Sequence, residues 1–151
     1  MWNLKPDERL REWKAFRIQV GQQELEHACN SVTHLWSYAP YVAHHLDPDR
    51  NNSLMPWPDP WTLLYENYYC DLAKALGMLY TLYLSQHRPA DINLTVCLDT
   101  ADRQVYNLVS LEQGKYILNF TFDTVVNKAQ LPSTLVVKHQ YSASDLDLNQ
   151  Y

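Results

Sequence analysis

The sequence contains few glycines and cysteines and no long apolar run. Three of its 151 residues are glycine and three are cysteine, namely Cys29, Cys70 and Cys97. The cysteines are odd in number and include no Cys-x-x-Cys pair, which argues against a disulfide framework and against a cysteine-based zinc or redox site. No apolar run reaches the roughly 18 residues of a membrane span, and charges occupy the start, where a signal peptide needs an apolar stretch. We therefore expect no membrane partner.

Positive charge is also scarce. Twelve lysines and arginines stand against seventeen aspartates and glutamates, which gives a formal net charge of −5. Phosphate contacts need clustered cations, so this balance argues against an extended surface for nucleic acid. We expect no nucleic-acid partner.

Aromatic residues, in contrast, are abundant. The chain has eleven tyrosines and five tryptophans and is 46% hydrophobic, so it can close a core without disulfides. The aromatic side chains exceed what one small core consumes, and tyrosine and tryptophan are favoured anchors at protein interfaces. We therefore expect one domain, with a subset of these residues facing a partner.

The first half of the chain has helical periodicity. Apolar residues at helical spacing predict one helix from Pro6 to Gly21 and a second that begins near Leu25 and ends before Pro40. A third and central helix is predicted from Cys70 to His87. It is apolar nearly all round, so other elements should cover it on most sides.

Beyond Pro89 the period changes from that of a helix to that of a strand. Alternating or β-branched runs predict strands at residues 92–98, 105–111, 116–122 and 134–141. Gly114 lies in the turn between the second and the third strand, where a positive φ is needed. The predicted architecture is α+β, with N-terminal helices and a central helix packed on an antiparallel sheet of about four strands.

The domain organisation follows from these elements. Residues 1–53 form an N-terminal helical part, residues 54–141 form the core, and residues 142–151 form a C-terminal tail. The tail should be loosely attached or docked on a partner. All three parts belong to a single domain.

A short stretch near residue 47 offers metal-binding residue types. His44 and His45 precede Asp47 and Asp49, but adjacent residues on a regular element point in different directions. The stretch is also rich in turn-forming residues, which favours a polar loop over a metal cluster. We predict no metal and no cofactor, and a metal cluster here is the alternative.

Cys70 begins the predicted central helix. A helix N-terminus stabilises a thiolate, so this position suits a nucleophile. The neighbouring Asp71 is favourable at a helix start, yet its negative charge would oppose the thiolate. Most cysteines that begin an apolar helix are simply packed, so a structural role and a nucleophilic role both stay open here.

Two segments carry a resemblance to a known family. Residues 59–73, DPWTLLYENYYCDLA, resemble the nucleophile segment of the transglutaminase-like superfamily of the papain fold. Residues 104–109, QVYNLV, and 114–123, GKYILNFTFD, resemble the hairpin of that superfamily, commonly His-Ala-Trp-Asn-Leu-Val followed by Gly-Lys-Trp. The resemblance implies a catalytic thiol at Cys70, with a histidine at position 104 and an aspartate at position 119.

The chain departs from this pattern at two of the three positions. It has Gln104 in place of the histidine and Asn119 in place of the aspartate, and only Cys70 is retained. A glutamine amide cannot accept the thiol proton or return it to a leaving group. We therefore predict that Cys70, Gln104 and Asn119 are vestigial, inactive triad positions and that the protein is a pseudoenzyme.

The predicted function is that of a non-catalytic interaction or assembly protein. Residues 35–40, LWSYAP, and 68–78, YYCDLAKALGM, also resemble small uncharacterised proteins of contractile-tailed cyanobacterial phages. That resemblance implies partners among the proteins of a phage particle or its host, and a location in the virion or host cytoplasm.

Two alternatives stay open. The first is a cysteine hydrolase or acyltransferase with Cys70 as nucleophile and a relocated base, for which His34, His44 and His139 are candidates. The second is binding of a small molecule or peptide in a cleft between Cys70 and Gln104.

Overall fold

The computed structural model describes residues 1–43 and 45–151. This part of the chain contains four α-helices and five strands. The helices are α1 (Pro6–Gly21), α2 (Leu25–Ser37), α3 (Pro60–Glu66) and α4 (Asp71–Tyr83). The strands are β1 (Asn93–Asp99), β2 (Val105–Leu111), β3 (Tyr116–Thr121), β4 (Thr124–Val126) and β5 (Leu135–Ser142).

All five strands of the described chain form one sheet in the order β4-β3-β2-β1-β5, and every pair is antiparallel. The α+β prediction is confirmed, and the sheet has one strand more than the four predicted. The additional strand, β4, is only three residues long and turns back on β3 through Asp123, whose φ is 51°. Such a short strand carries no periodic signal in the sequence.

Helix α4 is the centre of the core, as its composition predicts. Eleven of its thirteen residues are buried, and α4 contacts α1, α2, α3, β1, β2 and β3. It ends at Tyr83, four residues before the predicted end at His87. The hydroxyl group of Ser85 bonds to the carbonyl of Leu82 and accepts from the N–H of His87. These local bonds compete with helical ones and end the helix early.

The C-terminal residues are packed, not loose. Leu146 and Leu148 are buried in the main core. Arg50 donates to the carbonyl of Asp145 and to a carboxylate oxygen of Asp147. Burial of the two leucines offsets the entropy of ordering the tail.

No helix among the described residues is both long and apolar enough to cross a lipid bilayer. All three cysteines are free and buried.

Candidate functional site

The chain segment before α4 is fixed by an extended neighbour. The N–H of Tyr69 donates to the carbonyl of Pro40 at 3.0 Å, and the N–H of Val42 donates to the carbonyl of Tyr69 at 3.1 Å. Cys70 follows in an extended conformation as the N-cap residue, and its side chain makes no capping bond. The first helical residue, Asp71, therefore has a defined position at the N-terminus of α4.

Asp71 is bonded to two strands at once. Its Oδ2 accepts from Asn107 Nδ2 on β2 at 2.8 Å, and its Oδ1 accepts from Asn119 Nδ2 on β3 at 3.2 Å. Asn119 Nδ2 also lies 2.9 Å from the carbonyl oxygen of Asn107. Asp71, Asn107 and Asn119, called the Asp71 cluster below, thus join α4 to the middle of the sheet.

The backbone explains part of this residue choice. Asn119 has a φ of 68°, in the left-handed region that asparagine tolerates better than most residues do. This conformation falls where the pairing of β3 with β2 ends, one residue after Leu118 pairs with Val109. The identity of Asn119 therefore serves both the backbone and the contact with Asp71.

The electrostatics of Asp71 combine opposing effects. The residue has exposed surface, yet neighbouring atoms crowd its carboxyl group, and this loss of solvent raises the pKa of Asp71. The hydrogen bonds from Asn107 and Asn119 and the charge of Lys74 act in the opposite direction. The residue is thus partly exposed, while its carboxyl group is poorly solvated.

The structure brings together only some of the residues predicted for the site. Cys70 lies at the start of α4, and Asn119 belongs to the Asp71 cluster. Gln104, in contrast, is exposed at the end of the turn between β1 and β2. Its backbone N–H donates to Asp102 Oδ1, and its carbonyl oxygen accepts from the N–H of Asp99. In the described chain no hydrogen bond connects its side chain with Cys70 or Asn119.

Sequence reasoning missed Asn107 and gave Asp71 only a structural role. Asn107 lies three residues beyond Gln104, on the buried face that β2 turns toward α4 with Val109 and Leu111. A polar residue at an inward position of a strand is a signal for a buried polar contact. The alternation of β2 could therefore have pointed to Asn107.

Three histidines were candidates for a relocated base. His34 Nδ1 lies 3.0 Å from both carboxylate oxygens of Asp123, and His139 stacks on Tyr141. His44 lies outside the described residues. Throughout the described residues, no imidazole forms a hydrogen bond with Cys70.

Two residues of the proposed metal cluster belong to a local turn. Asp47 accepts from the N–H of Asp49, and Asp49 caps the turn Arg50–Asn52 by accepting from Asn51 and Asn52. Within residues 1–43 and 45–151, no group of three or more metal-ligating side chains forms.

The thiol of Cys70 should react slowly in the native protein. Cys70 is 4% exposed, Cys97 3% and Cys29 0%, so alkylation by iodoacetamide requires local opening of the structure. We expect slow labelling at all three positions in buffer and rapid labelling in urea, as measured by peptide mass spectrometry. Labelling of Cys70 at pH 6 faster than that of a free thiol would show an open, activated nucleophile instead.

Exposed aromatic side chains surround the start of α4. Tyr38, Tyr41, Tyr68 and Phe122, called the aromatic rim below, are 58%, 63%, 37% and 65% exposed. The rings of Tyr38 and Phe122 lie 5.2 Å apart. Phe122 follows Asn119 by three residues, and the Tyr41 ring lies 5.8 Å from Lys74 Nζ, one turn after Asp71. The rim therefore borders the Asp71 cluster.

Comparison with known proteins gives a likeness in structure alone. No family model and no curated protein matches the sequence. Three solved structures of LapG from Legionella pneumophila are similar, each with a TM-score of 0.73. The EGTA-treated form is 16% identical over 91% of this chain and 74% of LapG, and the calcium-bound form is 15% identical over 93% and 78%.

These neighbours correct one prediction. The expectation that the protein is not an enzyme is contradicted, because LapG is a transglutaminase-like cysteine protease, so the similar structures are those of an enzyme. The resemblance read from residues 59–73, 104–109 and 114–123 agrees with them. The chain therefore has the transglutaminase-like α+β fold of LapG, with four helices packed on a five-stranded antiparallel sheet in its described part.

Proposed function

We propose that the protein binds a polypeptide partner at the aromatic rim and the adjoining Asp71 cluster, as an interaction or assembly protein. The observation that carries this proposal is the exposure of four aromatic side chains around the start of one helix. Aromatic rings supply a large contact area at a low cost in conformational entropy. Burying such a group of rings is a common source of binding energy at protein interfaces.

The layer beneath the rim supports this proposal because it is rigid. Tyr69 and Trp36 are fully buried, with their rings 5.1 Å apart, and Trp2 packs on both. The backbone of Tyr69 is bonded to Pro40 and Val42 on either side of Tyr41. A surface fixed in this way loses little entropy when it binds.

We propose further that the partner is a protein of a phage particle or of its host, and that the protein acts in the virion or the host cytoplasm. The support is the resemblance of residues 35–40 and 68–78 to phage-encoded proteins. Both segments contribute to the rim, the first through Tyr38 and the second through Tyr68.

The rim can be tested with a photo-crosslinking residue. We expect benzoylphenylalanine at Tyr38 or Phe122 to crosslink one polypeptide within the native assembly. The control position is Tyr65 on α3, which is 56% exposed and therefore as accessible as Tyr38. With the identified partner, Tyr38→Ala and Phe122→Ala should each weaken binding by about 10-fold or more, and Tyr65→Ala should not.

Two results would contradict the proposal. One is crosslinking from Tyr65 that equals crosslinking from the rim. The other is an affinity for the identified partner that both rim variants leave unchanged.

The likeness to a protease favours a second candidate function, a cysteine hydrolase or acyltransferase with Cys70 as nucleophile. Cys70 lies at the N-terminus of α4, the position of the catalytic thiol that the resemblance implies. Among the described histidines, His34 is the one that a carboxylate, that of Asp123, orients. The labelling experiment with Cys70 separates this candidate from binding alone, since turnover requires an accessible and activated thiol.

A further inference from the structure

Most of the hydrogen-bonding capacity left open at the Asp71 cluster is that of acceptors. The side-chain donors of Asn107 and Asn119 are their Nδ2 groups, and both point at Asp71. A carboxylate has about four lone-pair sites, so Asp71 can accept further bonds. Among residues 1–43 and 45–151, none donates a hydrogen bond to Asn107 Oδ1, although Asn107 is only 4% exposed.

An orphaned acceptor of this kind is a sign of a missing donor. Burying an oxygen without a partner costs free energy, and native proteins rarely do so without a reason. Asn107 Oδ1 belongs to the amide whose nitrogen touches the Asp71 carboxylate at 2.8 Å, so the orphan lies within the same cluster. The cluster therefore favours a ligand that is rich in hydrogen-bond donors.

The neighbouring cation does not fill this role. Lys74 Nζ donates to the carbonyl of Ser37 at 3.1 Å. The ion pairs formed by the described residues include none between Lys74 and Asp71. The Asp71 carboxyl group is thus without a directly bonded cation in this part of the chain.

We propose that the Asp71 cluster binds a guanidinium group, the side chain of an arginine on the partner, and this rests on the polypeptide binding proposed above. A guanidinium has five N–H donors and no acceptor, and its planar fork matches a carboxylate. It can donate to the carboxylate with one edge. Its further N–H groups reach the Asn107 acceptor after the side chains that cover this oxygen move aside. The aromatic rim then contacts the residues on either side of the arginine.

The experiment uses the 151-residue chain and four acetylated, amidated peptides of sequence Ala-Tyr-X-Tyr-Ala, where X is arginine, citrulline, lysine or glutamate. Citrulline is nearly the shape of arginine but is neutral and carries a carbonyl acceptor. The readout is the side-chain amide signals of Asn107 and Asn119 in ¹H–¹⁵N NMR spectra during titration. We expect the arginine peptide to shift both signals and to bind about 10-fold or more tightly than the citrulline peptide.

Two variants identify the group responsible. Asp71→Asn keeps the shape of the side chain and should abolish the preference for arginine over citrulline. Asp102→Asn is the matched control, since Asp102 lies in the exposed turn between β1 and β2, and it should keep the preference. Should Asp71→Asn fail to fold, the comparison of arginine with citrulline on the unaltered protein decides the question.

Each other outcome has a definite meaning. Three results would overturn the guanidinium assignment. They are equal affinity for the arginine and citrulline peptides, equal affinity for the arginine and lysine peptides, and no binding of the arginine peptide. Peptides that all bind equally, and that Tyr38→Ala weakens equally, would refute this inference and leave the proposed function standing. The crosslinking experiment at the rim tests the proposed function separately.

Discussion

Replacing Thr81 by valine is expected to lower the free energy of unfolding by about 2 to 6 kcal/mol. Thr81 is fully buried in α4, and its Oγ1 accepts from Trp13 Nε1 and from Trp36 Nε1, both at 3.0 Å. The same hydroxyl group donates to the carbonyl of Gly77 at 2.6 Å. Valine has nearly the same shape but leaves two indole N–H groups buried without an acceptor, each at a cost of about 1 to 3 kcal/mol.

Urea denaturation followed by circular dichroism measures this loss. Thr81→Ser is the matched control, because serine keeps the hydroxyl group and removes only a methyl group. We expect the serine variant to lose much less stability than the valine variant. If the two variants were equally stable, the hydroxyl group would not be the acceptor on which the two tryptophans depend.

Replacing Gly77 by alanine should also lower the free energy of unfolding, by about 1 to 3 kcal/mol. Alanine normally stabilises a helix by about 1 kcal/mol relative to glycine, so helix propensity predicts the opposite sign. Packing overrides propensity here, because a Cβ atom at position 77 would lie 2.3 Å from Cη2 of Trp36. The indole ring is held by its bond to Thr81 and cannot easily move away.

A second substitution isolates the clash. In a Trp36→Leu background the ring is gone, so Gly77→Ala should cost much less than in the native chain, as shown by the four denaturation curves of a double-mutant cycle. A cost that stayed unchanged in that background would show that the clash with Trp36 is not its origin.

The residues of these two predictions also hold the candidate site in place. Trp36 packs against Tyr69, which lies two residues before Asp71 and is bonded to the segment around Tyr41. Stable variants with a loosened Trp36 are therefore expected to bind more weakly at the aromatic rim. The core of α4 and the surface around its N-terminus form one packed unit.

The fold was predictable from the sequence to a large extent. The helices around Trp13, Trp36 and Leu76 follow from apolar spacing, which is a local property. The strands follow from alternation after Pro89. The strand β4 could not be predicted, because three residues are too few to show a period. The packing of the tail could not be predicted either, because its two buried leucines pack against residues that are distant in the sequence.

The candidate site was predictable only in part. Cys70 and Asn119 could be placed at the start of α4 and on β3, since the helix start and the hairpin are local features. Gln104 was expected beside Cys70, but it is exposed in a turn, and Asn107 occupies the inward position that faces α4. Gln104 and Asn107 are three residues apart. Which of them faces α4 depends on where the turn before β2 ends and on how β2 pairs with β1.

The sequence by itself determined the class of fold, the central position of α4 and the absence of a histidine at position 104 and of an aspartate at position 119. Periodicity and residue identity are local properties, so they can be read without knowing which segments meet in the fold. Only the tertiary structure decided that Asp71, Asn107 and Asn119 meet, and that Tyr38, Tyr41, Tyr68 and Phe122 remain exposed beside them. The contact between Asp71 and Asn119 alone joins residues 48 positions apart. Such contacts are set by the packing of α4 on the sheet and not by any local pattern.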